Sequence, residues 1–81
     1  MISALQIKAA RALIGMDQPT LAAKAAVSRP TIQRIENTKF GPERSSAKVV
    51  EAIQLALESE GIVFLPANAE GGEGVRLSMR R

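Results

Sequence analysis

The chain contains no cysteine, histidine, tryptophan or tyrosine. Without cysteine there is no disulfide and no thiolate site. Without cysteine and histidine together, zinc fingers, Cys–His nucleophile systems and histidine general bases are excluded. Phe40 and Phe64 are the only aromatic residues, which excludes an aromatic base-stacking platform. The longest uninterrupted apolar run is Ile62–Leu65, far short of the ~20 residues that span a bilayer. The first residues, Met1-Ile2-Ser3-Ala4, lack the basic region and apolar core of a signal peptide, so a cytoplasmic location is expected.

What remains is 81 residues, 46% apolar and with a formal net charge of +3, at a sequence pI near 10.0. That size predicts one small domain whose core needs close helix packing or dimerisation as a supplement. Charge is partitioned along the chain. Residues 1–48 carry eight bases against three acids, residues 49–75 carry five acids and no base, and Arg76, Arg80 and Arg81 follow. A basic half beside an acidic stretch suggests an anionic partner on one side only.

Residues 3–14 combine strong helix formers with an apolar face at Ile7, Ala10 and Ile14, and Gly15 supplies a stop. Asp17 is placed to cap a second helix reaching about Ala26, with Pro19 in its first turn and Leu21, Ala22 and Ala25 inward. Ser28 is placed to cap a third over residues 29–37, buried through Ile32 and Ile35. Residues 37–42 read as a loop whose Phe40 is expected to fold back on the core. A fourth helix begins between Pro42 and Ser46, with either Pro42 as its first residue or Ser45 as its cap. It runs to about Glu60 on a Val50, Ile53, Leu57 face, and Gly61 stops it. Residues 62–65 and the alternating residues 75–79 read as two strands joined by a long Gly- and Pro-containing loop. Such a hairpin is barely stable alone, so it must pack on the fourth helix or on another subunit. Residues 1–61 and 62–81 are thus expected to form a helical domain and a strand tail for packing or dimerisation.

The informative unit is Q-P-T-L-A-A-K-A-A-V-S-R-P-T-I-Q-R-I-E, from Gln18 to Glu36. It resembles the helix-turn-helix of the phage lambda repressor and Cro class, the Xre family, whose pattern is Q-x-x-L-A-x-x-x-G-V-S-x-x-T-I-x-x-x-E. Two departures stand out. Ala26 replaces the usual Gly, at a position that often needs a left-handed backbone, and Asn37-Thr38 lacks the Gly that commonly follows the Glu. The tail segments Gly61-Ile62-Val63-Phe64 and Gly74-Val75-Arg76-Leu77 are also similar to those ending small bacterial regulators of this kind.

The resemblance implies a mainly α, four-helix lambda-repressor-like DNA-binding domain with a C-terminal β-hairpin or strand pair. It implies sequence-specific binding of double-stranded DNA by a small homodimeric transcriptional regulator, with the third helix in the major groove. The base-reading residues are then Arg29, Pro30, Gln33 and Arg34: arginine pairs with guanine O6 and N7, glutamine with adenine N6 and N7, and the proline ring suits a thymine methyl. Gln18, Thr31, Lys39 and Arg44 would contact phosphate, which positions without reading sequence. For Lys39 and Arg44 an ordinary solubilising charge is a competing account. Arg11 and Glu36 would form an ion pair orienting the third helix.

No cofactor or metal is expected. The Gly71-Gly72-Glu73-Gly74 run lacks the G-K-[ST] and following helix of a phosphate loop. Glu58 and Glu60, two apart, face different directions and read as solvated. No nucleophile–base pair emerges, so no enzyme is expected. The alternative reading is an antitoxin-like module that binds a partner protein through the acidic stretch and tail, and autoregulates through DNA.

Overall fold

Side-chain caps set most of the helix starts in a computed structural model of the chain, which describes residues 1–78. Ser3 and Gln6 form a reciprocal capping box that opens α1, Ala4–Ile14. Asp17 accepts from the Thr20 N–H at 2.8 Å and opens α2, Gln18–Ala25. Ser28 accepts from the Thr31 N–H and opens α3, Arg29–Ile35. A single 3-10 turn, Pro42–Arg44, precedes α4, Ala47–Glu58, which Ser46 caps through the Val49 N–H. Strands β1, Ile62–Leu65, and β2, Gly74–Leu77, pair antiparallel, with Ile62 opposite Leu77 and Leu65 opposite Gly74. Among the described residues the architecture is mainly helical, four helices plus this two-stranded sheet. Among the described residues no helix is long and apolar enough to cross a membrane.

The core is aliphatic. Ile7, Leu21, Ile32, Ile35, Ile53 and Leu57 are fully buried, one or more from every helix. Ala22 and Ala25 are also buried, and their small side chains admit the close approach of α2 to α4. The sheet lies against α1 and α4, with Ile62, Phe64 and Val75 on the core. Gln6, only 6% exposed, ties the loop end of the hairpin to α1: its amide nitrogen donates to the carbonyls of Leu65 (3.1 Å) and Gly74 (2.9 Å). A hairpin this short gains its stability from these tertiary contacts.

Several boundaries differ from the sequence expectation, each for a local reason. Helix α2 stops at Ala25, because Ala26 turns left-handed at φ 57°, ψ 43°. Helix α3 stops at Ile35 rather than residue 37, since the Asn37 carboxamide oxygen takes the Lys39 N–H and starts a turn instead. Helix α4 starts from neither proposed position, because its cap is Ser46 and Pro42 begins the separate 3-10 turn. At its other end the Ser59 hydroxyl donates to the Ala56 carbonyl, and the helix ends at Glu58 rather than about Glu60. Phe40 does not fold onto the core: it is 43% exposed, and the Arg44 guanidinium lies over its ring at 5.4 Å. Strand β2 is Gly74–Leu77; Met79, placed in this strand by the alternation, lies outside the described residues, as do Arg80 and Arg81.

Ala26 is the one non-glycine residue with positive φ among the described residues. Gly15 holds the equivalent position after α1 at φ 64°, without the Cβ clash that costs an L-residue roughly 1–2 kcal/mol. Ala26→Gly is expected to raise unfolding free energy by about 1 kcal/mol, part of the relief being lost to the freer unfolded chain. Urea denaturation at neutral pH measures it, and unchanged or reduced stability contradicts the strain.

Candidate nucleic-acid interface

Helices α2 and α3 are joined by only three residues, Ala26, Val27 and Ser28. The Val27 N–H donates back to the Ala22 carbonyl, closing the turn. Ile32 and Ile35 point α3 into the core, so its other side must face water. That side carries Arg29, Pro30, Gln33 and Arg34, all exposed. Thr31 is half-buried, and its hydroxyl lies 2.7 Å from that of Ser28, a hydrogen bond in which either can donate.

The end of α3 is held by a buried carboxylate. Glu36 is 2% exposed. Arg11 donates to it twice, Nε to Oε2 at 2.6 Å and Nη2 to Oε1 at 2.7 Å. A fork-to-fork pair of this kind fixes angle as well as distance. The remaining Arg11 Nη1 donates to the Met16 carbonyl at 2.9 Å. Gln18, the first residue of α2, donates from Nε2 to Glu36 Oε1 at 3.0 Å. Glu36 stabilises the charged form of Arg11, mainly by hydrogen bonding, against the opposing effect of burial. The ion pair implied for Arg11 and Glu36 is therefore present, and it includes Gln18.

Gln18 thus has its carboxamide nitrogen committed inside the fold, at the α2 N-terminus. Lys39 is exposed in the loop after α3, and Arg44 lies in the 3-10 turn, its guanidinium over Phe40. The fold unites Arg11, Gln18 and Glu36 in one network and Arg29, Pro30, Gln33 and Arg34 on one helix face. Lys39 and Arg44 sit beyond the C-terminus of α3, outside that network.

Three features lay beyond the sequence expectation. Gln6 had a readable signal, its place three residues after Ser3, but its two bonds to the hairpin have none. Lys24 of α2 pairs with Glu60 at 2.7 Å, so Glu60 lies past the end of α4 in an ion pair rather than solvated on that helix. Asp17 accepts hydrogen bonds from the Thr20 hydroxyl and N–H, which hold its carboxyl below the ordinary aspartate value, and the cations Arg29 and Arg11 add to this.

Among the described residues no group of three acidic side chains is placed to hold a metal ion, and every buried side-chain nitrogen and oxygen has a hydrogen-bond partner. The exposed donors of α3 are thus the chemistry this surface offers: hydrogen bonds from cationic and amide groups to acceptors of an outside molecule. Comparison with models of known protein families and with curated proteins finds no match.

Removing one partner of a buried ion pair leaves the other charge unmatched, at about 3–5 kcal/mol. Glu36→Gln and Arg11→Met are each expected to lower stability by roughly 3 kcal/mol, and the double variant by much less than the sum. Chemical denaturation of all four proteins measures the coupling, and additive losses would mean the pair orients nothing. Asp17 gives a pH-dependent test. Its folded value is depressed, so its contribution is complete above the unfolded value of about 4 and disappears as pH falls through the folded value. The stability advantage of the natural chain over Asp17→Asn is expected to shrink in thermal melts as pH falls below the ordinary aspartate value. A gap independent of pH contradicts it.

Proposed function

We propose that the protein binds double-stranded DNA sequence-specifically, as a small cytoplasmic transcriptional regulator of the Xre type. The observation that carries this reading is the exposed face of α3. It offers two guanidinium groups, one carboxamide and one proline ring on a helix whose opposite side is locked into the core. An α-helix with its side chains fits the major groove, and these groups match guanine O6 and N7, adenine N6 and N7, and the thymine methyl. The resemblance of residues 18–36 to the family pattern supports the same reading.

Gln18, Thr31, Lys39 and Arg44 are the phosphate contacts of this proposal. Gln18 stands at the start of α2, where backbone N–H groups attract anions, and Thr31 in the first turn of α3, while Lys39 and Arg44 follow α3 in the chain. One helix reads only a few base pairs, so the working form is a homodimer whose two α3 helices enter successive major grooves about 34–36 Å apart. The acidic stretch and the hairpin supply the remaining surface, for the second copy or a partner protein. The protein acts by binding, without catalysis and without a cofactor.

Fluorescence anisotropy on a duplex selected from a random pool, against a scrambled duplex across a salt series, tests this. Binding at least ~10³-fold tighter to the selected duplex is expected, with a log–log salt slope near −0.9 for each phosphate contact. Arg29→Ala and Arg34→Ala should each reduce the preference by roughly tenfold or more. Weak binding that is equal on both duplexes rejects the reading and turns the search to a protein partner for the acidic stretch and tail.

A further inference from the structure

We propose that α3 recognises the C5 methyl group of a pyrimidine beside a guanine, with Pro30 as the reading residue, so that DNA methylation at cytosine C5 changes binding. The inference rests on the DNA-binding reading and deepens it. Four side chains make up the exposed face of α3. Arg29, Gln33 and Arg34 end in hydrogen-bond donors, whereas Pro30 has none, not even a backbone N–H. Residues three and four apart on a helix are neighbours, so the Pro30 ring lies beside Gln33 and Arg34, with Arg29 preceding it.

The nearest hydroxyls, those of Ser28 and Thr31, bond each other at 2.7 Å, and the Ser28 oxygen also accepts from the Thr31 N–H at the start of α3. The middle of the face is therefore an apolar surface flanked by two guanidinium groups and a carboxamide. In a major groove the complementary feature is an apolar group among acceptors. The pyrimidine C5 methyl is the apolar group on a base edge there, and guanine supplies the acceptors O6 and N7. Thymine and 5-methylcytosine carry the methyl at the same ring position, while uracil and cytosine lack it. The contact depends on the methyl group and not on the hydrogen-bonding edge, so both methylated bases should gain from it.

Helix-start preference is the competing account of Pro30, because proline is favoured in a first turn. Pro19 holds the same position in α2, is also exposed, and lies off the α3 face. It is the internal control.

The test uses the pool-selected duplex, with each pyrimidine of one half-site varied in turn as thymine, uracil, cytosine or 5-methylcytosine, and a parallel set with 7-deazaguanine. In the natural chain, one position is expected to bind thymine about fourfold tighter than uracil and 5-methylcytosine about fourfold tighter than cytosine, the worth of one buried methyl-sized group. Both ratios should fall to about one in Pro30→Ser and persist in Pro19→Ser. They are taken within one protein, so an overall loss of affinity in a variant cancels. Ratios of one at every pyrimidine, with 7-deazaguanine still weakening binding, would overturn methyl recognition and leave DNA reading in place. Ratios that persist in Pro30→Ser would overturn the assignment to Pro30. Failure to prefer any duplex over scrambled DNA removes both readings.

Discussion

Glu36 is a carboxylate taken out of water, and its need for partners fixes where three helices sit. Arg11 reaches it from α1, Gln18 from the start of α2, and Glu36 itself closes α3. A buried charge without such donors costs several kcal/mol, so α3 has little freedom to rotate or slide relative to α1 and α2. That restraint matters because α3 is only seven residues long and is too short to hold its own shape in water. Its geometry comes from the network at one end, the Ser28 cap at the other, and Ile32 and Ile35 beneath. With those three restraints in place, Arg29, Pro30, Gln33 and Arg34 are presented outward in a set arrangement. A reading surface needs that preorganisation, since ordering side chains at the moment of binding subtracts from affinity.

The rest of the fold supports this restraint with a mainly aliphatic core. A core of Ile, Leu, Val and Ala closes because alanine on α2 lets α4 come near, and the Lys24–Glu60 pair ties α2 to the segment following α4. The hairpin completes the other side, covering α1 and α4 with Phe64 and Val75 and held at its loop end by Gln6. Gln6 thereby links both ends of the chain: one side chain caps α1 with Ser3 and satisfies carbonyls 59 and 68 residues away. The hairpin packs on α1 and α4 rather than on α3, so it and the proposed DNA face are separate surfaces.

Much of this was legible in the residues. Ser28 and Asp17 as caps, Gly15 as a stop, and the Ile32–Ile35 spacing are local signals, and local physics decides them. The Gln18-to-Glu36 pattern carried the Arg11–Glu36 pair through resemblance alone, because 25 residues separate its partners. Phe40 was misread since its hydrophobicity predicts burial, whereas a neighbouring guanidinium covers it. The ends of α3 and α4 were misplaced because Asn37 and Ser59 compete for backbone groups through side-chain bonds that helix periodicity does not register. The hairpin ties of Gln6 and the Lys24–Glu60 pair are long-range choices with no local signature.

The central claim is that the network around Glu36 presents α3 to DNA. The most direct measurement is a ¹⁵N–¹H NMR titration of the protein with its selected duplex. The account predicts large shifts at Gln18, across residues 28–34 and at Lys39 and Arg44, with β1 and β2 changing little in a dimer formed before DNA is added. Shifts centred on α4 and the hairpin, or no change on α3, would contradict it.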